Sequence, residues 1–324
     1  MIEVKRVIEG ITIEEFFQKF GFNSKQDVKD RIKTLLRYGV VFTHSGKEFH
    51  GDEVFALALL ELYRQLLNKE CNKEFYPPFK IIRERNISLE YPGLRIDVDS
   101  SFLDHHFPKT EAAFRTNGIQ YASVGLLWYV IGEDLVGNNA DNIDKELIQG
   151  LDASDNGQNF EFAYSNMISL FVPNWNEENL TTEEQMQKAI DFAMIILERF
   201  FAKYKALDES IHLVETAYNN AINKEIVILP QALNWQKVLV PTEAKFVIWE
   251  NEDKQWNCQA VPIEVGSFAL KKGFKQSWRG LRNEELKELS GLDLVFCHSS
   301  GFFLVANTKE TAIDACLIAL NEEG

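Results

Sequence analysis

Acidic and imidazole residues that directly follow short apolar runs constrain the fold of this chain most strongly. The apolar run at 40–43 leads into HSGKEFHGDE at 44–53, and a helical pattern, DEVFALALLELYRQLL, begins at Asp52. A second apolar run, within LRIDVD at 94–99, also ends in acidic residues. Strands that alternate with helices indicate a parallel sheet, whose ligands bind at the carboxyl ends of the strands. The pattern therefore predicts a functional site where these runs end.

The first half of the chain carries helical patterns on both sides of these strands. Residues 1–38 contain two short helices, capped near Thr12 and Ser24, which we interpret as an N-terminal helical appendage. The remaining predicted elements are a strand at 79–85 and helices at about 119–131, 142–153 and 182–223. We therefore assign residues 39–224 to an α/β domain with a parallel sheet.

Residues 225–324 have the β-rich pattern of a smaller α+β domain. Strands are predicted from the apolar runs IVIL, KVLV, AKFVIWE, NCQAVPI, LVFCH and FFLVA. A turn is predicted at SSG, residues 299–301, and helices are predicted at 283–290 and 308–322. The long helical pattern at 182–223 is expected to join the two domains.

Charge and cysteine content exclude several classes of protein. The formal net charge of -15 disfavours diffuse binding to a phosphate backbone, so an anionic substrate requires a local positive centre. The N-terminal MIEVKRVIEG lacks the apolar segment of a secretory signal, and no run approaches about 18 uncharged apolar residues. We therefore predict a cytoplasmic protein without a membrane partner. The four cysteines are widely spaced, which predicts free, mostly buried thiols and no zinc framework: Cys71, Cys258, Cys297 and Cys316.

Metal-ligand chemistry is concentrated at four places in the first half of the chain. These are His44, His50 and Asp52; Asp97 and Asp99; Asp104, His105 and His106; and Asp152 and Asp155. At one edge of a parallel sheet, such groups would repel one another unless cations neutralised them. A mixed imidazole and carboxylate shell suits Mn²⁺ and also Mg²⁺, Co²⁺ or Zn²⁺, and the lack of thiols argues against a structural zinc site.

Several of these segments, in this order, resemble the MYG (melanocyte proliferating gene) family, which stands close to the DHH phosphoesterases. The resemblance extends over about 40–320 and rests on THSGKEFHGDE, RER with IDVD, DHH, YASVGLLW, LDASDNG, SWRGLRNEELKELSGL and VFCHSSGFF. It implies an α/β fold with a DHH-phosphoesterase-like N-terminal lobe, built on a parallel sheet, and a smaller α+β C-terminal lobe. It also implies a metal-dependent phosphodiesterase.

The resemblance implies roles for individual residues. His44, His50 and Asp97 would bind one Mn²⁺ ion, and Asp52, His105 and Asp155 would bind a second, with Asp97 bridging the pair. Asp155 is preferred, although Asp152 lies one helical turn away and remains an alternative ligand. His106 would face the substrate phosphate. In the C-terminal lobe, the expected substrate contacts are Arg279, Arg282, His298, Ser299, Ser300 and Gly301.

These expectations define a function and its alternatives. The resemblance implies a 3'-5' exonuclease that acts on RNA or short oligonucleotides, with two Mn²⁺ ions or with Mg²⁺ or Co²⁺ in their place. The same site chemistry also allows hydrolysis of a small phosphoanhydride or a cyclic dinucleotide. A third alternative is a metal- or RNA-binding protein without catalytic activity.

Overall fold

The computed structural model describes residues 10–71, 75–88, 90–160 and 164–321. The chain forms two compact units, one that ends at Tyr204 and one that begins at Lys205. The division lies inside the long helix α8 (Thr182–Asn220) rather than after residue 224. This helix therefore supplies residues to both units.

Two capped helices open the described part of the first unit. They are α1 (Ile13–Gln18) and α2 (Lys25–Leu36), and capping boxes formed by Thr12 with Glu15 and by Ser24 with Asp27 confirm the predicted helix starts.

These two helices pack within the first unit and do not form a separate appendage. Phe17 stacks on Tyr129 at a ring-centroid distance of 6.1 Å. Lys29 pairs with Asp134 at 2.7 Å. These apolar and ionic contacts explain why α1 and α2 pack on the first unit, where a separate N-terminal segment was expected. Residues 1–9 of that segment lie outside the described residues.

A three-stranded parallel sheet forms the centre of the first unit. Its strands are β1 (Val40–Thr43), β2 (Lys80–Arg83) and β3 (Leu94–Arg95), in the order β2-β1-β3. Val41 and Phe42 of β1 pair with Leu94 and Arg95 of β3. The predicted strand at 94–99 is therefore shorter than expected, because the backbone takes a left-handed conformation at Asp97.

Helix α3 (Gly51–Cys71) is the central helix of this unit. Residues 51–60 are all buried, and the helix packs against α4 (Ser123–Val136) and two shorter helices. A helix that is apolar around its circumference belongs in a core, so its sequence explains its position. The shorter helices on this side are α5 (Ala140–Ile143), α6 (Gln149–Asp155) and α7 (Ser165–Ile168), with a π-helical segment at Asp144–Ile148.

The second unit contains a five-stranded sheet in the order β4-β5-β6-β8-β7. Strands β4 and β5 are parallel, and the other neighbours are antiparallel. The strands are β4 (Ile226–Ile228), β5 (Phe246–Glu250), β6 (Trp256–Ala260), β7 (Leu294–Cys297) and β8 (Phe303–Ala306). The helices are α9 (Gln236–Leu239), α10 (Asn283–Ser290) and α11 (Lys309–Asn321).

One predicted strand of the second unit is wrong. The run KVLV, residues 237–240, lies largely in α9 and buries Leu239 among the apolar side chains beside β4 and β5. A short apolar run does not distinguish a buried strand from a buried helical turn, and here tertiary packing decides. The other predicted strands of this half overlap strands of the sheet.

The coarse predictions of fold and thiol state are confirmed. The structure is mixed α/β, with a parallel sheet in the first unit and a mostly antiparallel sheet in the second. The four cysteines are free, and Cys258, Cys297 and Cys316 are buried whereas Cys71 is exposed. Among the described residues, no helix has the length and apolar character needed to cross a membrane.

Candidate metal centre

Strand β1 ends directly at the site, and His44 is the first residue beyond it. The loop from His44 to His50 is fixed to the neighbouring strand by Arg83, whose guanidinium donates to the carbonyl oxygens of Gly46 (3.0 Å) and Glu48 (2.6 Å). The rings of His44 and His50 lie 5.3 Å apart. The loop therefore brings both imidazoles to the carboxyl edge of the parallel sheet.

The first turn of α3 carries two carboxylates into the interior. Asp52 and Glu53 are both fully buried. The positive end of the helix dipole favours negative charge at this position. Asp52 accepts a hydrogen bond from the backbone amide of Ser123 at 3.3 Å, but its Oδ1 atom has no hydrogen-bond partner. Glu53 has no hydrogen-bond partner at either oxygen.

Asp97 lies at the centre of the cluster, in a turn with unusual backbone geometry. Its φ is 58°, and Asp99 and Ser100 also have positive φ values, of 59° and 48°. Such conformations cost of the order of 1–3 kcal/mol each for residues other than glycine, and they persist where the surrounding structure holds them. The turn places the Asp97 carboxylate 3.4 Å from His44 Nδ1 and 3.3 Å from His105 Nδ1.

The segment Asp104-His105-His106 contributes one buried and one accessible imidazole. Asp104 is buried, and its carboxylate contacts His106 Nδ1 at 2.8 Å. His105 is buried, whereas the His106 side chain is 60% exposed. His105 Nε2 lies 2.8 Å from Asp155 Oδ2, at the end of α6, and the same aspartate lies 3.6 Å from His50 Nδ1. Asp155 therefore links the DHH segment to the loop after β1.

The ligand atoms form overlapping groups in which all atoms lie within 4.8 Å of one another. The groups are Asp52, His105 and Asp155; His44, Glu53 and Asp97; His50, Asp52 and Asp97; and Asp97, Asp104, His105 and His106. Asp97 belongs to three of these groups. The donor set, with imidazole nitrogens, carboxylate oxygens and buried oxygens that lack hydrogen-bond partners, fits divalent cations such as Mn²⁺ or Mg²⁺.

Protons on the imidazoles balance the acidic charge of the cluster when no cation is bound. The carboxylates of Asp97 and Glu53, which lie 3.4 and 3.3 Å from His44 Nδ1, raise the pKa of His44 to about 9. Burial opposes protonation of His105, but its contacts with Asp155 and Asp97 outweigh burial and raise its pKa to about 11. Because a metal ligand must be deprotonated, a cation that binds these imidazoles displaces their protons.

The pKa values of two neighbouring carboxyl groups, Asp52 and Asp97, shift in opposite directions. Burial, together with the charges of Asp97 and Asp155, raises the pKa of Asp52 well above its ordinary value. Burial also disfavours ionisation of Asp97, but the adjacent imidazoles of His105 and His44 lower its pKa overall. The Asp97 carboxylate is therefore ionised, whereas its neighbour Asp52 favours the neutral form unless positive charge is added.

A cavity of about 630 Å³ opens beside the cluster. His44, His50, Asp97 and His106 are among the residues that line it. The lining also includes two cationic residues, Lys47 and Arg85, with Glu48, Asn86, Asp99, Ser100 and Asp104 among the polar ones. The cavity is therefore large enough to admit a small anionic ligand to the cluster, and two positively charged side chains line it.

Comparison with known proteins identifies the family. Residues 40–320 match the family model for MYG1 exonucleases, which carries the description "Uncharacterised protein family (UPF0160)". The chain belongs to this family. The match confirms the resemblance seen in the sequence and covers both units, whereas helices α1 and α2 precede the matched region.

Relatives in the MYG1 family come from distant organisms. The chain is 29% identical to the MYG1 protein of Dictyostelium discoideum over 328 residues, which cover 87% of this chain and 96% of that protein. It is 28% identical to the human MYG1 exonuclease over 325 residues, or 84% of this chain and 83% of that protein. It is 26% identical to the MYG1 protein of Chlamydia muridarum, over 88% of this chain and 97% of the relative. No solved structure matches the chain significantly.

The structure brings together the six residues that the MYG1 resemblance implied as ligands, whereas the alternative ligand Asp152 belongs to none of the ligand groups found among the described residues. His44, His50, Asp52, Asp97, His105 and Asp155 all belong to the cluster. The three residues assigned to the second ion, Asp52, His105 and Asp155, form one group, whereas His44 and Asp97 form a group with Glu53 instead of His50. The assignment of each residue as a ligand stays a prediction.

Sequence reasoning overlooked two residues of the cluster, Glu53 and Ser123, and gave a third, Asp104, no individual role. Glu53 directly follows Asp52 in the first turn of α3, where the helix dipole is by itself a sufficient explanation for an acidic residue. Asp104 belongs to the DHH segment but was not assigned a role. Ser123 has no signal in the sequence, and its hydroxyl lies 3.3 Å from Asp97 Oδ1 and 3.2 Å from His105 Nδ1.

Asp152, the alternative ligand, lies in a different environment. Its carboxylate pairs with the guanidinium of Arg115 and accepts hydrogen bonds from the backbone amides of Ala122 and Gly125, each at 3.0 Å. A Cβ atom at Gly125 would lie 2.0 Å from Asp152 Oδ2, so glycine permits this close approach. Burial raises the pKa of Asp152 to about 6, although Arg115 opposes the rise. The geometry therefore favours Asp155 as the ligand and gives Asp152 a structural role.

The predicted substrate contacts of the second unit lie around the turn between β7 and β8. His298 Nδ1 lies 2.8 Å from Ser300 Oγ, and the backbone amide of Gly301 donates to the carbonyl of His298 at 2.8 Å. Arg279 approaches Gly301 so closely that a Cβ atom there would lie 2.4 Å from Arg279 Nε. Ser299 is exposed in the same turn, whereas Arg282 lies over the ring of Phe296 at 4.6 Å. Arg279 thus lies beside the turn at residues 298–301, and the role of all six residues in substrate binding stays a prediction.

The two aspartates of α6 should respond differently to replacement by asparagine. Asp152→Asn should lower the free energy of unfolding by about 3 kcal/mol, the lower end for a broken buried ion pair, because Arg115 keeps a second partner in Asp144. Its bound metal should be unchanged. Asp155→Asn should instead lower the metal content. Urea denaturation of chelator-treated protein and metal analysis give both quantities, and equal metal loss in the two variants would contradict the distinction.

Proposed function

We propose that this protein is a metal-dependent phosphodiester hydrolase, a 3'-5' exonuclease that acts on RNA or short oligonucleotides. The observation that carries the proposal is the buried cluster around Asp97, whose imidazoles and carboxylates converge beside an accessible cavity. The human, rat, mouse and bovine relatives are named MYG1 exonucleases, which supports the same reaction class. A DHH-phosphoesterase-like arrangement of the first unit is part of this proposal.

The chain supplies ligands for two cations. His44 and Asp97, with His50, would hold one ion, and Asp52, His105 and Asp155 would hold the other. Divalent ions bound there would supply positive charge for the phosphate oxygens and lower the pKa of a nearby water. Asp97 would contact both ions, so its left-handed backbone conformation sets the position of the entire group. Mn²⁺ is the preferred ion, since imidazole and carboxylate ligands are combined.

His106 is the residue best placed to meet the substrate. It lines the cavity, and its Nδ1 atom contacts Asp104, so Nε2 is the nitrogen left for a ligand. Hydrogen bonding to Asp104 raises the pKa of His106, which favours the protonated imidazolium. A protonated His106 can donate a hydrogen bond to a phosphate oxygen or a proton to the departing oxygen. Lys47 and Arg85 would attract the phosphate to the same cavity.

The second unit would bind the remainder of the nucleic acid. Arg279 offers a guanidinium, and the turn at residues 298–301 offers imidazole, hydroxyl and backbone groups, all of which bind phosphate or sugar oxygens. Such contacts would be sequence-independent, because they address the backbone rather than the bases. We therefore propose RNA or a short oligonucleotide as the substrate.

Loss of the central carboxylate tests the metal-dependent reaction. Asp97→Asn should reduce metal content and lower Mn²⁺-dependent hydrolysis by more than about 100-fold. Loss of a residue that only hydrogen-bonds to a metal ligand typically costs about 10- to 100-fold, so a larger loss indicates a ligand. Circular dichroism should show an unchanged fold. Activity should vanish in chelator and return best with Mn²⁺.

Asp99→Asn is the matched control for this variant, because Asp99 shares the strained turn but belongs to none of the ligand groups found among the described residues. It should keep its metal. Wild-type metal content and turnover in Asp97→Asn would overturn the assignment. A panel of single-stranded RNA, DNA, cyclic dinucleotides and pyrophosphate would decide among the enzymatic alternatives, and failure to hydrolyse any of them would favour a binding protein.

Variants of the second unit test the proposed division of labour. Arg279→Ala and His298→Ala should each raise KM for an oligonucleotide roughly ten- to a hundred-fold, since loss of a charge-assisted hydrogen bond costs about 1.5–3 kcal/mol. The value of kcat should change less, because these contacts hold substrate and transition state alike. A small phosphodiester that does not extend beyond the metal centre should be cleaved almost normally. Equal losses on both substrates, or on neither, would contradict the proposal.

A further inference from the structure

Glu53 is the one acidic residue of the cluster whose burial the described contacts do not explain. Its side chain is fully buried, and neither carboxylate oxygen has a hydrogen-bond partner in the described part of the chain. A buried ionised carboxylate is costly unless it is paired and hydrogen-bonded or binds a metal. Its contact with His44, at 3.3 Å, satisfies the distance for an ion pair but not the geometry of a hydrogen bond.

The other carboxylates of the cluster have defined hydrogen-bonding or imidazole partners. Asp97 accepts from the hydroxyl of Ser123, and Asp104 accepts from the backbone amide of Ser100 at 2.8 Å. Asp155 contacts His105 at 2.8 Å. Glu53 thus differs from these three carboxylates, because both of its oxygens are buried without a hydrogen-bond partner, and one of them, Oε2, lies 3.3 Å from His44 Nδ1.

The positions of the neighbouring ligand atoms show what could satisfy these oxygens. Glu53, His44 and Asp97 present one ligand atom each within 4.8 Å of one another. His50, which the sequence assigned to the same ion, is half exposed and groups instead with Asp52 and Asp97. A cation between Glu53, His44 and Asp97 would contact two carboxylates and one imidazole, a ligand combination that suits Mn²⁺.

We propose that Glu53 is a metal ligand that binds, together with His44 and Asp97, the divalent cation nearest to strand β1. The inference rests on the metal dependence of the proposed function, but it concerns cation binding and requires no particular nucleic acid substrate. The position of Glu53 beside Asp52 in the first turn of α3 then gives each of two adjacent residues a different ion: Glu53 the first and Asp52 the second.

A purely orienting role for Glu53 makes a different prediction from a ligand role. If Glu53 only accepted a hydrogen bond from His44 Nδ1, glutamine would preserve that role, because its carbonyl oxygen also accepts. As a ligand, glutamate supplies a negative charge and a strong oxygen donor, which glutamine does not replace. The substitution Glu53→Gln therefore separates the two roles while keeping the shape of the side chain.

The test is calorimetric titration of Mn²⁺ into chelator-treated protein at fixed pH. Wild type should show two binding events, and Glu53→Gln should weaken one of them by about 100-fold or more, above the range for an outer-sphere partner. Glu53→Asp, which keeps the charge on a shorter side chain, should recover part of the affinity. The metal-free melting temperature of Glu53→Gln reports separately on the loss of the 3.3 Å contact between Glu53 and His44.

Glu70→Gln provides the matched control, because Glu70 is an exposed residue near the end of the same helix. It should bind Mn²⁺ as wild type does. Unchanged affinity in Glu53→Gln, or a lower metal-free melting temperature with unchanged affinity, would overturn the ligand assignment alone. Absence of Mn²⁺ binding by wild type would overturn both this assignment and the metal dependence. Intact binding without hydrolysis of any nucleic acid would overturn only the nuclease proposal.

Discussion

The burial of carboxylates against imidazoles at the edge of the parallel sheet is the constraint on which the first unit depends. Asp52, Glu53 and Asp97 place their carboxyl groups in a region from which water is largely excluded. Protonated His44 and His105 balance the acidic charge of the cluster in the cation-free protein, as the raised pKa values of both imidazoles indicate. The arrangement is therefore electrically satisfied either by protons or by divalent cations, and the two compete for the same ligand atoms.

The fold holds this cluster with elements that have little freedom to move. Helix α3 is fixed by the buried apolar residues that follow its acidic first turn, so the carboxylates of Asp52 and Glu53 do not retreat to solvent. The left-handed turn at Asp97 directs the central carboxylate toward both imidazoles. Asp152, bound to Arg115 and to the start of α4, positions the helix that ends in Asp155. Apolar packing and a second buried ion pair thus fix the ligands before any cation binds.

Much of this arrangement was predictable, because the relevant signals are local. Parallel strands followed by His44 and Asp97 implied that both side chains meet at one sheet edge, and the structure places them 3.4 Å apart. The proximity of Glu53 was not predictable, since an acidic residue in a first helical turn has an adequate explanation in the helix dipole. The run at 237–240 was wrongly predicted as a strand. Its short apolar pattern fits a strand or a helical turn equally well, and the burial of Leu239 against the second unit's apolar residues decides for the helix. Long-range partners such as Arg115 for Asp152 likewise require the tertiary structure.

Anomalous X-ray scattering from crystals of the protein grown with Mn²⁺ is the most direct test of divalent-cation binding by this cluster. We expect two anomalous peaks that both lie beside Asp97, one near His44 and the other near His105 and Asp155. The peak beside His44 should also contact Glu53. Cation binding by the cluster would be contradicted by a map that shows no anomalous density there. In such a map, His44 and His105 would still contact Asp97 in the presence of Mn²⁺.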